Sequence, residues 1–228
     1  MKAILFDMDG TLLDSMGMWH RVELEFLESL GVDPTAFDYN KTITMGIEHT
    51  LALIRQEFGI ETNSEAMSAY VSKRMAEFYQ SEAQLKPGVL SILEGLRKAG
   101  VWMAIGTATM EELAKIALAH TGIEDFFEFV HSSSTDGHSK NMPDFFERAA
   151  QRFGLKPVDL ALFDDAYNAL LAAKSIGYFT VGVQDKAYSQ DVEAIRRVAD
   201  DFVSDFSLFD MEAWARDKGL IPGKTGQV

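Results

Sequence analysis

The chain contains no cysteine, which excludes a disulfide framework, thiolate chemistry and any cysteine-ligated zinc. Positive charge is also scarce. Its 228 residues carry 21 Lys and Arg against 35 Asp and Glu, a formal net charge of −14. That balance argues against a surface for nucleic acid or for an anionic membrane. No stretch approaches the ~20 apolar residues of a membrane-spanning helix, and the N-terminus has no apolar segment of signal-peptide length. A reducing cytoplasm suits these absences, with a monomer or weak homodimer as the expected state. What is present, 47% hydrophobic and 25% charged residues, is the composition of a soluble globular protein. The length allows one full core and a modest second domain. An acidic protein that takes an anionic ligand must supply positive charge locally, through a metal, a lysine or helix N-termini.

The opening stretch, Lys-Ala-Ile-Leu-Phe-Asp-Met-Asp-Gly-Thr-Leu-Leu from Lys2 to Leu13, organises the rest. Ala3 to Phe6 is an unbroken apolar run, as expected of a parallel strand buried on both faces. It stops at Asp7 and Asp9. In extended chain, residues two apart project to the same side, so the two carboxylates are expected to converge at the strand's carboxyl end. Open α/β sheets place their ligands at that edge. Two acids so close repel unless a cation lies between them or one keeps its proton. Gly10 lets the backbone turn away and lets an anion approach the main chain.

The next convincing strand, Val101 to Ile105, lies far beyond the ~30 residues of a simple βαβ unit. The intervening chain reads as helices. Met18, Trp19, Val22, Phe26, Leu27 and Leu30 recur at helical spacing, as do Leu51, Ile54 and Phe58, and then Met67, Tyr70, Val71, Met75, Phe78 and Tyr79. A helical insertion directly after the first strand reads as a cap over residues 15–83, with hinges near Asp14-Ser15 and Gln84 to Gly88. The main, Rossmann-like core is then 1–14 with 84–228. After Pro87 the pattern alternates: helices Val89 to Ala99, Met110 to His120, Pro143 to Phe153 and Tyr167 to Ile176. Strands are expected at Val101 to Ile105, near Phe127 to Val130, at Leu160 to Phe163 and at Tyr178 to Val183, with an edge strand at Asp201 to Val203. Each of these helices is followed within two residues by a glycine, the usual stop signal. Strands alternating with helices predict a doubly wound parallel α/β sheet. Gly223 to Val228 reads as a frayed tail.

Three further groups fall near the carboxyl ends of these strands. Thr107 follows the second core strand, where its hydroxyl and the backbone N–H groups from Ala108 onward could hold phosphate oxygens or cap the next helix. Lys140 lies between a Ser/Gly-rich loop and a helix, where an ammonium could neutralise a phosphoryl group and a nucleophile. Asp164 and Asp165 follow the strand Leu160 to Phe163, and adjacent carboxylates without basic neighbours call for a cation. The donors are all hard oxygens, which suits Mg²⁺. The five histidines have no zinc-like spacing; His138 precedes Lys140 and could line the site.

Asp7-Met-Asp-Gly-Thr11 after an N-terminal hydrophobic strand resembles the first motif of the haloacid dehalogenase superfamily. Thr107, Lys140 and Asp164-Asp165 resemble its other three motifs, in order. The third commonly reads Lys-Pro-x-Pro, and this chain has Asn141-Met142 between Lys140 and Pro143. The fourth often has Ser after its acids, where Ala166 stands here. The resemblance implies a phosphatase that uses Mg²⁺ and a phosphorylated aspartate. Asp7 is then the nucleophile, Asp9 the general acid and base, and Thr107 and Lys140 the phosphoryl holders. Asp7, Asp164, Asp165 and the Asp9 carbonyl become the metal ligands. Asp9 itself argues for phosphoryl transfer, since dehalogenases of the superfamily lack it. The cap resembles that of the β-phosphoglucomutase and phosphoglycolate phosphatase branch. Mutases there carry an Arg in the loop that here reads Thr44 to Thr50, and a His where Trp19 stands with His20 following. Both departures favour a phosphatase on a small phosphorylated metabolite. Trp19, His20, Ile47 and Arg74, with Lys73, are the cap residues expected to meet the leaving group. A phosphomutase is the alternative, and a metal-binding regulatory or inactive module is the non-enzymatic one.

Overall fold

The opening apolar run forms strand β1, Ala3–Phe6, and none of its four side chains reaches solvent. The computed structural model describes residues 1–37, 47–186 and 192–222. The chain divides into two units, Met1–Met16 with Ala83–Val228, and Gly17–Glu82. After β1 come helices α1 (Met16–Ser29), α2 (Ile47–Phe58) and α3 (Ser64–Ser81). Then follow α4 (Val89–Lys98), β2 (Trp102–Thr107), α5 (Glu111–Thr121), β3 (Val130–Ser132) and the one-turn α6 (Ser133–Asp136). The remainder is α7 (Pro143–Phe153), β4 (Leu160–Asp164), α8 (Tyr167–Ser175), β5 (Phe179–Val183), α9 (Val192–Val198), β6 (Asp201–Val203) and α10 (Met211–Asp217).

The six strands form one parallel sheet in the order β3-β2-β1-β4-β5-β6. The chain therefore winds outward from β1 through β2 to β3 on one side, and from β4 through β5 to β6 on the other. The loops leaving β1 and β4 part at this change of direction, where open α/β sheets form a crevice. This is the doubly wound parallel sheet expected from the alternation of strands and helices.

Both sheet faces are covered, and that is why β1 could be apolar throughout. Ala3 and Leu5 share a core with Leu160 and Leu162 of β4, Phe145, Phe146 and Ala149 of α7, and Ala169, Leu170 and Ala173 of α8. Phe163 meets Trp214 of α10 edge-on at 5.1 Å between ring centroids. Each fully buried side chain of this size contributes about 1.5–3 kcal/mol. Helix ends fall where glycine permits a left-handed residue: Gly122 after α5 at φ 71° and Gly154 after α7 at φ 68°.

The inserted unit has its own core. Phe26 and Leu27 of α1 pack with Leu51 and Ile54 of α2 and Met67 of α3, and Tyr70 lies against Phe26. Asn63 starts α3 by accepting a hydrogen bond from the Ala66 amide at 2.8 Å.

One strand is displaced from its expected place. The sequence suggests a strand near Phe127 to Val130, but β3 is Val130–Ser132 and Glu124–Phe126 is a 3₁₀ turn. Residues 128 and 129 reach β2 through single backbone bonds, Glu128 N to Met103 O and Phe129 O from Ile105 N, so regular pairing begins later. Helices α6, α9 and α10 were not expected. The loop at 44–46 and the tail 223–228 lie outside the described residues, and Ile47 is described in its backbone alone. No helix among the described residues is long and apolar enough to cross a membrane.

Candidate active site

Asp7 stands one residue past β1. Its amide donates to Phe163 O at 2.9 Å, which continues the pairing with β4 and fixes Asp7 beside Asp164, the last residue of β4. Asp7, Asp164 and Asp165 are all buried, and each offers a carboxylate oxygen within 4.8 Å of the others. The Lys140 ammonium, also buried, contacts Asp7 Oδ1 and lies 2.8 Å from Asp164 Oδ2. Lys140 arrives from the loop between α6 and α7, far from the acids in sequence, so only the winding of the sheet brings them together.

Three carboxylates facing one ammonium leave an excess of negative charge in a place water scarcely reaches. Burial, reinforced by Asp7 and only partly offset by Lys140, pushes Asp164 up to about 6. Burial and the charges of Asp7 and Asp164 likewise hold Asp165 well above the ordinary carboxylate range. Lys140 titrates above its usual value: burial would lower it, but Asp164 and Asp7 outweigh that and keep it protonated. Asp164 Oδ1 accepts from the Ala166 amide at 2.8 Å and so starts the turn into α8. Its Oδ2, wholly buried, has the Lys140 ammonium at 2.8 Å as its charged neighbour. Three buried carboxylates against one ammonium, all hard oxygen donors, fit a divalent cation. Asp7, Asp164 and Asp165 are the side chains that could hold it.

Asp9 does not join this group. The strand ends at Phe6, and the amides of Leu12 and Leu13 both fold back onto Met8 O at 2.9 Å. The two-residue alternation of a strand therefore no longer governs Asp9. Its carboxylate accepts two hydroxyl hydrogen bonds instead, from Ser15 at 2.7 Å and from Thr109 at 2.8 Å. Thr107 Oγ1 accepts from the Thr109 amide at 3.0 Å, a turn-capping bond at the end of β2, and Ala108 between them is exposed. Ser132 of β3 secures the same turn by donating to Thr109 O at 2.6 Å.

The remaining predicted residues belong to the inserted unit. Trp19 and His20 are half-buried on α1, and burial lowers the His20 pKa. Arg74 on α3 is engaged by Glu25 at 2.8 Å and Glu77 at 2.5 Å. His138 bonds to Asp136, through the backbone carbonyl and the carboxylate.

Sequence reasoning missed Ser15, Thr109, Thr11 and Lys86. Thr109 sits two residues after Thr107 in Ile-Gly-Thr-Ala-Thr, and that repeat was the available signal. Thr11 donates to Asp165 Oδ1 at 3.1 Å. Gly10, at φ 80°, lies so close that a Cβ there would stand 2.4 Å from Asp165 Oδ2. Nothing local in Lys86 marks it as more than a hinge residue.

The doubly wound core thus places a buried acid cluster, able to hold a cation, at the reversal of strand order where such folds bind their ligands. The model of the haloacid dehalogenase-like hydrolases matches residues 1–177; the chain belongs to that family. It is 25% identical over 176 residues to hexitol phosphatase B of Escherichia coli, covering 76% of this chain and 79% of that protein. It is 28% identical over 190 residues to the fructose-1-phosphate phosphatase of the same organism, covering 80% and 96%. In fold it resembles CbbY from Rhodobacter sphaeroides, crystallised with phosphate, at a TM-score of 0.76 and 21% identity, covering 92% and 96% of the two chains.

Proposed function

We propose that the protein is a Mg²⁺-dependent phosphatase that hydrolyses a small, sugar-phosphate-like metabolite through a phosphorylated Asp7. The observation that carries this reading is the Asp7 carboxylate itself, buried between an ammonium and two further acids. Kinship with hexitol and fructose-1-phosphate phosphatases supports the substrate class.

Held by Asp7, Asp164, Asp165 and the Asp9 main-chain carbonyl, Mg²⁺ would supply the positive charge that lets an anionic carboxylate meet an anionic phosphoryl group. The chain's own residues do the rest. An Asp7 oxygen attacks phosphorus, the bond from phosphorus to the ester oxygen breaks, and an aspartyl-phosphate forms. Asp9, held by the Ser15 and Thr109 hydroxyls, gives its proton to the departing oxygen. It then takes a proton from water, whose oxygen attacks phosphorus. The Asp7–phosphorus bond breaks, inorganic phosphate leaves and both acids return to their starting states. Lys140, Thr107 and the backbone amides from Ala108 onward hold the phosphoryl oxygens. The inserted unit, as a cap over 15–83, excludes bulk water and meets the leaving group through Trp19, His20, Ile47 and Arg74. Arg74 already satisfies two carboxylates, so Trp19 is the first position to vary for specificity.

The test is phosphate release from p-nitrophenyl phosphate, hexitol phosphates, fructose 1-phosphate and phosphoglycolate, with Mg²⁺ and with a chelator. Mg²⁺-dependent release, strongest on a sugar or polyol phosphate, is expected. An isomerised sugar phosphate among the products would instead mark a mutase. No release from any ester would leave a regulatory or binding module.

A further inference from the structure

We propose that Lys86 and Asp185 form a positioning pair that holds the Asp165 carboxylate in place for the divalent cation, acting through the Gly10–Thr11 turn. The inference rests on the reading of Asp7, Asp164 and Asp165 as a cation site.

Lysine normally leaves its ammonium in water. The Lys86 side chain is only 13% exposed, and the Asp185 carboxylate it meets at 2.7 Å is 3% exposed. The other two ammonium contacts are main-chain carbonyls, Gly10 O and Gln184 O, the latter at 3.1 Å. All three ammonium donors are thus spent on fixed acceptors from two separate loops. The backbone of the same segment grips the same turn. Lys86 N donates to Leu12 O at 2.9 Å, Leu85 bridges Leu13, and Asp14 N donates to Gln84 O at 3.0 Å.

The turn so held is the wall behind Asp165. Thr11 donates to one Asp165 oxygen, and Gly10 approaches the other too closely for any side chain. Displacing Gly10 O therefore displaces both supports of Asp165. Stability does not account for the pair, because a buried ion pair is often no better than apolar residues of the same volume. Its placement does: the ammonium joins the β5 loop to the turn that sets a metal ligand, and outer partners of this kind orient such ligands.

Position and charge make opposite predictions. As a bare positive charge near the acids, Lys86 repels a cation, so removing it would tighten cation binding. As a positioning group, removing it loosens Asp165 and weakens binding. Metal-free, full-length protein titrated with Mn²⁺ alone separates the two. Lys86→Met is expected to weaken Mn²⁺ binding by about tenfold or more, and to lower kcat by a similar factor at saturating Mg²⁺ while KM changes little. Lys86→Arg keeps the charge, and a 180 Å³ space lined by Lys86, Pro87, Asp185 and Phe206 gives it room. It is expected to restore most of the lost affinity.

Unchanged or tighter Mn²⁺ binding by Lys86→Met overturns the proposal. If Lys86→Met does not fold, Lys86→Gln decides the matter: it too removes the charge, so weaker Mn²⁺ binding supports the pair and unchanged or tighter binding overturns it. Should the wild-type protein hydrolyse no ester, the Mn²⁺ titration still judges the pair, because it needs no turnover. Failure of the wild type to bind Mn²⁺ would sink the cation site and the pair with it.

Discussion

Asp7 and Asp9 are two residues apart and live in different surroundings. Asp7 is pinned beside β4 by its own amide and shares a buried space with two acids and one ammonium. Asp9 lies past the end of the strand, outside that cluster, and is held by two neutral hydroxyls. The same side chain is thus placed once among buried charges and once where the Ser15 and Thr109 hydroxyls donate to it. The first setting suits a carboxylate that binds a cation and, in the proposed reaction, attacks phosphorus. The second suits one proposed to give and receive a proton, because two hydroxyl donors orient its carboxylate.

The largest effect that separates the two is on turnover. Asp7→Asn is expected to lower kcat by about 10³-fold or more, as removal of a nucleophile does, and to weaken Mn²⁺ binding by the metal-free protein. Retained turnover would refute the division of roles. Asp9→Asn is expected to cost about 10²–10⁴-fold in kcat, the range of general acid–base catalysis, yet to leave Mn²⁺ affinity nearly unchanged, since its main-chain carbonyl survives. If Asp9→Asn weakens Mn²⁺ binding as much as Asp7→Asn does, the contrast between the two acids is wrong.

The next effect concerns stability and arises on the Asp7 side. Asp164 titrates at about 6 in the folded protein, against an ordinary value of 3.8. A carboxyl with a raised folded pKa contributes stability below its unfolded pKa and loses it as pH rises through the folded value. Metal-free protein should therefore lose up to roughly 3 kcal/mol between pH 4 and pH 7 from this group. A saturating divalent cation should remove most of that slope, which denaturant unfolding at several pH values will show. A chelated protein that is as stable at pH 7 as at pH 5 would mean that the acids are not crowded as described. The smallest effect is on the Asp9 side: Thr109→Val removes one hydrogen bond to a carboxylate, worth about 1.5–3 kcal/mol, and should lower kcat by about tenfold. Thr109→Ser should restore it, and neither should alter Mn²⁺ binding.

The larger unit was legible because its elements announce themselves locally. The run Ala3 to Phe6, Pro143 at the start of α7 and Gly154 after it carry their own boundaries. Helices α9 and α10, seven residues each, were missed because short helices have little periodicity to read; they form where Ile195 and Trp214 find the sheet core. In the site, Asp7, Lys140, Asp164 and Asp165 stood out as acids and a lysine at element ends. Ser15 and Thr109 did not, since a hydroxyl in a turn looks the same whether it caps the backbone or orients a catalytic carboxylate. Lys86 was hidden for a related reason: an isolated lysine is normally solvated.

By itself the sequence determined the alternating sheet and the acids at its carboxyl edge, because periodicity, glycine stops and the charge at a strand end are local properties. Only the tertiary structure decided that Asp7 and Asp9 part company, that Lys140 meets the acids, and that Lys86 reaches Gly10. Each of these depends on where chain segments far apart in sequence cross, and on water being shut out when they do.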